Sequence, residues 1–79
     1  GDNMAEVAIR IERWYDVKIE MADSDLNHFS FRATFDDDSL IDVLKLLSMT
    51  SPIEYKIFPR IQLQDGTYQK EKVILYKRK

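Results

Sequence analysis

Apolar positions along this chain switch twice from a helical rhythm to a strand rhythm, about 35 residues apart. In the first passage Met4, Val7, Ala8, Ile11 and either Trp14 or Tyr15 recur at i, i+3, i+4 and i+7, which predicts a helix with one buried stripe. Glu6, Arg10, Glu12 and Arg13 fall mostly on its wet side. Val17, Ile19 and Met21 then alternate with Lys18 and Glu20 as in a half-buried strand, and no Gly or Pro separates the two patterns at Arg13-Trp14-Tyr15-Asp16-Val17. In the second passage Leu40, Val43, Leu44 and Leu47 keep helical spacing, and Ile53-Glu54-Tyr55-Lys56-Ile57 alternates.

Boundary residues sharpen these elements. Asn3 followed by Glu6 forms a capping-box pattern, because a side-chain oxygen and a carboxylate three residues on can satisfy free amide donors, so the first helix should run from about Met4 to about Tyr15. Ser39 with Asp42 repeats the arrangement, the acidic run Asp36-Asp37-Asp38 complements the positive helix end, and the second helix should reach about Met49 before Pro52 stops it. Between the helices, Ala22 to His28 reads as a loop with a turn at Asp23-Ser24-Asp25 and Leu26 as its anchor. Phe29, Phe31, Ala33 and Phe35 alternate with Ser30, Arg32 and Thr34, predicting a second strand whose register is firm, since a one-residue slip would expose its Phe rings. Ile53 to Phe58 forms the third strand, interrupted by Pro59. Arg60 to Glu71 reads as a long hairpin turning at Asp65-Gly66, with Ile61 and Leu63 extending the pairing, and Val73-Ile74-Leu75-Tyr76 closes the chain as the last strand. The predicted order is α-β-β-α-β-β. This is an α+β two-layer sandwich, with two helices on one face of a small, mainly antiparallel or mixed sheet and an internal two-fold repeat.

Composition narrows the possibilities. A chain of 79 residues makes one domain and buries only about 60% of its unfolded surface, so every large apolar side chain is expected in the core. Without Cys there is no disulfide, thiol nucleophile or thiolate metal site. A net charge of −2 is too small and of the wrong sign to recruit a phosphate backbone, so nucleic acid is not an expected partner. No apolar run approaches the roughly 18 residues of a membrane span. Gly1 stands where an initiator Met would, and helix-capping residues follow at once. The chain therefore reads as a single domain over 2–79 cut from a longer protein, with Gly1 a scar of the excision and any membrane anchor in the missing part.

Few residues invite chemistry. His28 is the only histidine and lacks partners at ligand spacing, so it reads as a loop residue. The Asp36-Asp37-Asp38 run lacks the Gly and closing Glu of a calcium loop and reads as helix capping. Asp23 with Asp25, or Glu6 with Asp16, would serve as acid and base only in a cleft that nothing in the pattern predicts. Phosphate-binding and nucleophile-elbow motifs are absent. No catalytic residue, cofactor or metal is expected. The basic end, Lys70, Lys72, Lys77, Arg78 and Lys79, reads as a polar rim. A binding surface is the stronger candidate. Val73 and Leu75 point one way and Ile74 and Tyr76 the other, so helices covering one face leave a pair on the open side, where Phe58 and Tyr68 are candidates to join it. Either the long hairpin covers this patch or the patch is free to dock a partner.

Taken in order, Val7 to Glu20 with its Arg13-Trp14-Tyr15-Asp16-Val17 centre, Phe31-Arg32-Ala33-Thr34-Phe35, Ser39-Leu40-Ile41-Asp42-Val43-Leu44-Lys45-Leu46-Leu47 and a closing pair of strands resemble the C-terminal domain of FecR-like anti-sigma factors of the Bacteroidetes form. The resemblance covers nearly the whole chain, although each block alone is ordinary amphipathic sequence. It implies a fold similar to the short secretin and TonB N-terminal domain. It also implies an inner-membrane regulator with this domain in the periplasm, sensing the signalling domain of an outer-membrane TonB-dependent receptor and reaching a sigma factor only through its N-terminal part. No catalytic residue comes with the family, and the matched positions are structural. Arg60 to Glu71 departs from the family by its length. The resemblance thus points to a non-enzymatic protein-interaction domain; the alternative is a small-ligand sensor for a glycan or peptide held against the aromatic residues.

Overall fold

A computed structural model describes residues 2–31 and 38–78. Asp2–Asn3 (β1) leads into α1, Met4–Tyr15, followed by β2, Lys18–Met21, a 3-10 turn at Ser24–His28, and β3, Ser30–Phe31. After α2, Leu40–Thr50, come β4, Ile53–Phe58, β5, Ile61–Gln62, β6, Tyr68–Gln69, and β7, Lys72–Lys77. Both helices start as their caps dictate: Asn3 Oδ1 accepts the Glu6 N–H at 3.0 Å, and Ser39 Oγ accepts the Asp42 N–H at 3.3 Å.

Three strands form the main sheet in the order β2-β7-β4, with β7 parallel to β2 and antiparallel to β4. The sheet is therefore mixed, and its centre is the last strand of the chain. Val73 and Leu75 of β7 are fully buried and meet Met4, Val7 and Ile11 of α1, Val43, Leu44 and Leu47 of α2, and Ile53 of β4 in one apolar cluster. Both helices thus lie on one face of the sheet. Leu26, also fully buried, anchors the 3-10 turn as its place in the loop predicted.

Two expectations are corrected. One small sheet was expected to hold all the strands, yet Ser30–Phe31 pairs antiparallel with Asp2–Asn3 in a small sheet of its own; the rest of that segment, with Ala33 and Phe35, lies outside the described residues. The core is also more selective than composition suggested. Ile9, Trp14, Leu46 and Met49 are exposed because the helices leave their own outer sides in water, and Ile61, Leu63 and Tyr68 because they lie on the hairpin after Pro59, away from the core.

At the junction the structure chooses Tyr15 over Trp14. Tyr15 packs against the core and donates its hydroxyl to the Asp38 carbonyl at 2.6 Å, tying the end of α1 to the start of α2, whereas Trp14 is 61% exposed. The chain then reverses through Asp16, the one non-glycine residue in the left-handed region (φ 53°) among those described. Asp tolerates this conformation better than most residues. That explains a helix-to-strand corner without Gly.

The hairpin after Pro59 continues the β4–β7 ladder in unbroken register. Phe58 opposes Lys72, Ile61 opposes Gln69, Gln62 opposes Tyr68, and the Leu63 N–H donates to the Thr67 carbonyl at 2.7 Å. Pro59 stands where, by the phase that turns the Ile53 N–H outward, a donor would point away from β7, a position an edge strand tolerates, and it falls in the gap between β4 and β5. Gly66, at φ +90°, supplies the left-handed position of a three-residue turn, and Asp65 accepts both the Thr67 N–H and hydroxyl, which hold its carboxyl below the ordinary range. Every residue from Ile57 to Lys70 is exposed, so this hairpin is an arm projecting from the body. The radius of gyration agrees: 12.9 Å, against about 11.6 Å for a compact chain of this length.

Tyr15→Ala should destabilise the fold by about 2–4 kcal/mol and Trp14→Ala by about 1 kcal/mol or less, with Tyr15→Phe near 1 kcal/mol for the lost hydrogen bond, all measurable by urea unfolding. Burial, then the nearby Asp38 and Asp42 carboxylates, raise the Tyr15 pKa. The fold favours the neutral phenol, so this contribution is whole below the ordinary tyrosine range and is lost as pH rises through the raised value. In Tyr15→Phe, the alkaline loss of stability should shrink.

Candidate functional site

Strand alternation sends Ile74 and Tyr76 to the face opposite the helices, and both are half-buried there. The ladder then fixes their neighbours. Ile74 sits between Glu20 of β2 and Lys56 of β4; Tyr76 faces Glu54; one row away Lys72 lies between Lys18 and Phe58. Phe58, Ile74 and Tyr76, singled out in the sequence, therefore share the open face. Tyr68 does not join them: it lies in β6 on the arm, beyond the body of the sheet. The arm does not fold back as a cover, since its residues are exposed throughout.

Charge organises this face. The Lys56 ammonium lies 5.8 Å from the Tyr76 ring centroid, and Lys72 lies 5.8 Å from that of Phe58, within the range where a cation is attracted to a ring face. Lys72 also pairs with Glu20 at 3.4 Å, and Arg78 pairs with Glu54 at 2.7 Å while donating to the Ser48 carbonyl at the end of α2. Sequence reasoning missed Lys56 and read Lys72 only as part of a polar rim. Their spacing along the chain carried the signal, but only the register shows which ring each one meets.

Asp16 extends the face to the base of the arm. Its carboxylate reaches Lys70 at 3.2 Å and Arg60 at 3.7 Å, two residues that stand opposite one another at the break left by Pro59. The Lys18 N–H donates to the Glu71 carbonyl at 2.9 Å, so the helix-strand corner and the arm are joined by backbone as well. A shallow open cleft of about 440 Å³ lies here, lined by Glu12, Arg13, Asp16, Val17, Lys18 and Lys70. Its walls are mostly charged and hold no aromatic ring to stack a sugar.

Both outer strands of the sheet start with a blocked edge. Lys18 and Ala22 donate toward β7, which turns the Ile19 N–H outward, where the Glu12 carboxylate accepts it at 3.0 Å. The outward Ile53 N–H is taken by the Ser51 carbonyl at 2.7 Å. Satisfied edge donors discourage strand addition.

The remaining candidates act structurally. Asp23 accepts the Lys77 N–H at 2.8 Å and Asp25 meets Lys77 Nζ at 4.0 Å, so this pair clamps the 3-10 turn to the end of β7. Glu6 and Asp16 stand at opposite ends of α1. His28 is exposed in the 3-10 turn. Asp36 and Asp37 lie outside the described residues. Among the described residues, no group of three or more His, Cys, Asp or Glu could hold a metal ion, and no helix is long and apolar enough to cross a membrane.

A family model described as FecR, C-terminal, matches residues 1–63. The match ends in the arm, so Phe58 falls inside it while Tyr68, Ile74 and Tyr76 lie beyond. No curated protein and no solved structure matches the chain.

Asp16→Asn keeps a residue suited to the left-handed corner but removes the charge that Arg60 and Lys70 share. The melting temperature should change by no more than a few degrees, as expected for exposed ion pairs worth about 0–1 kcal/mol. Amide exchange at Leu63 and Gly66 should nevertheless quicken; unchanged exchange would show that Asp16 does not restrain the arm.

Proposed function

This chain belongs to the family of FecR C-terminal domains, and from that membership we propose that it is the receptor-sensing interaction domain of a membrane-anchored anti-sigma regulator. The family gives the coarse role, regulation in receptor-to-sigma signalling, and is a regulatory, non-enzymatic family. The finer reading is ours. The domain works in the periplasm, where it binds the signalling domain of an outer-membrane TonB-dependent receptor. The parent protein spans the inner membrane outside this chain and meets its sigma factor through its N-terminal part.

The observation that carries this reading is the open sheet face, where Phe58, Ile74 and Tyr76 stand together on a firmly registered sheet with no element of the described chain packed over them. A flat face with an apolar centre and a polar surround has the make-up of a protein-docking surface. The blocked edges at Ile19 and Ile53 favour docking on this face over strand addition. Receptor occupancy would reach the regulator as a change in how this face is covered. Such a role needs no reacting group. Tyr68, on the exposed arm, is positioned to touch the rim of a partner seated on the face.

The direct test is a binding measurement between this chain and the signalling domain of the TonB-dependent receptor encoded beside its gene. Binding in the micromolar range is expected, about −8 kcal/mol, and its absence at high micromolar concentration would count against the reading. Ile74→Asp and Tyr76→Asp should each weaken binding while leaving the circular dichroism spectrum unchanged. If both variants unfold, these residues serve the core and the face is misplaced.

A further inference from the structure

We infer that the partner surface seated on this face is acidic: the open face is a positively charged platform, built on a chain of opposite net charge, for a carboxylate-rich protein surface. This inference rests on the docking role proposed for the face and adds the chemistry of what docks.

Charge is unevenly divided over the molecule. The chain carries 12 Lys and Arg against 14 Asp and Glu, a net charge of −2. Lys18, Lys56 and Lys72 stand on the open face, and Arg60 and Lys70 continue it at the base of the arm, with Arg78 at the opposite rim. Asp16, Glu20 and Glu54 oppose these six cations, while Glu12 and Arg13, which share the cleft with Lys18 and Lys70, offset each other. Six cations and eleven carboxylates are left for the rest of the chain. The face is thus positive by about three charges on a chain whose remaining residues sum to about −5.

The carboxylates on the face are already engaged. Asp16 is shared by Arg60 and Lys70, Glu20 is held by Lys72, and Glu54 is held by Arg78. Among the described residues Lys18 and Lys56 have no ion-pair partner, and Lys56 lies over Tyr76 with its ammonium still exposed to a partner. Laid on their rings, Lys56 and Lys72 flank Ile74 on the side away from Glu20, so cations reach the apolar centre and do not merely fringe the chain end. A partner that covers Ile74 must bring its own polar groups against these ammonium groups. Carboxylates satisfy Lys56 and the nearby Lys18, whereas cations or apolar groups would leave these two buried and unpaired.

The same pattern decides between classes of partner. An anionic lipid surface would meet three carboxylates set among the lysines, and the half-buried Ile74 and Tyr76 offer little side chain to insert. Six cations with three carboxylates around an apolar centre suit a protein surface on which carboxylates outnumber cations.

The test is titration of this chain with the purified receptor signalling domain at about 50 and about 500 mM NaCl, where the screening length falls from about 14 Å to about 4 Å. Affinity should fall at least about tenfold over this range, mainly through the association rate. Lys56→Glu combined with Lys72→Glu should weaken binding at low salt by about tenfold or more and flatten the salt dependence. Glu20→Gln, which frees Lys72, should strengthen it, so that two variants of opposite sign guard against a folding artefact. Lys45→Glu, on the exposed side of α2, should change nothing. Binding that ignores salt and both charge variants would overturn this inference while leaving the docking role standing. No binding at either salt would overturn the docking role and this inference with it. Salt-sensitive self-association of the chain in light scattering, or capture by phosphatidylglycerol vesicles in place of the receptor domain, would assign the face to a second copy or to a lipid surface and overturn it as well.

Discussion

The fold depends on β7 pairing on both of its sides. β2 and β4 do not touch each other in the sheet; each is held by the strand between them, parallel on one side and antiparallel on the other. That strand also carries Val73 and Leu75, which close the core over α1 and α2. The parallel pair is the demanding one, because Lys18 meets Lys72 only after the whole intervening chain has been placed. Such a contact costs loop-closure entropy before it returns any burial, so the parallel pair carries the larger entropic cost of the two. The arm eases the other half of this task. By extending β4 and β7 in one register to a tight turn at Gly66, it makes the antiparallel pair a local hairpin.

The helix-to-strand corner gathers several restraints into three consecutive residues. Tyr15 ties α1 to the start of α2, Asp16 turns the chain and holds the arm, and Val17 is buried beneath them. One turn earlier, Glu12 closes the edge of β2. No single contact here is strong. Together they place the open face relative to the arm, and a docking surface needs that more than it needs high global stability. The segment matched by the family model supplies this corner, both helices and β4, while the central strand that completes the face lies past the end of the match.

Much of the candidate face was legible from the chain because period-two alternation reports side. Ile74 and Tyr76 had to oppose Val73 and Leu75 whatever the sheet's order. Phe58 or Tyr68 stood as candidates beside them; the register of β4 puts Phe58 on that side, and the break at Pro59 and the turn at Gly66 carry Tyr68 outward on the arm. Lys56 was passed over and Lys72 read as rim for a related reason. Read singly, a lysine in a strand is a solvated residue; it becomes part of a site only when register sets it over a ring.

Local physics in the sequence determined the two helices with their caps, the strand segments and turns, and the inward or outward side of each strand residue. These depend on periodicity and on hydrogen bonds between residues three or four apart, so they are written within a few residues of where they act. Only the tertiary structure decided that the last strand is central, that Ser30–Phe31 leaves the main sheet for the start of the chain, that Tyr15 and not Trp14 fills the corner, and that Ile74 sits between Glu20 and Lys56 with Lys72 one row away. Each of those outcomes depends on the relative burial and register of segments far apart in the chain, which compete for one small core and are settled only when all of them are in place.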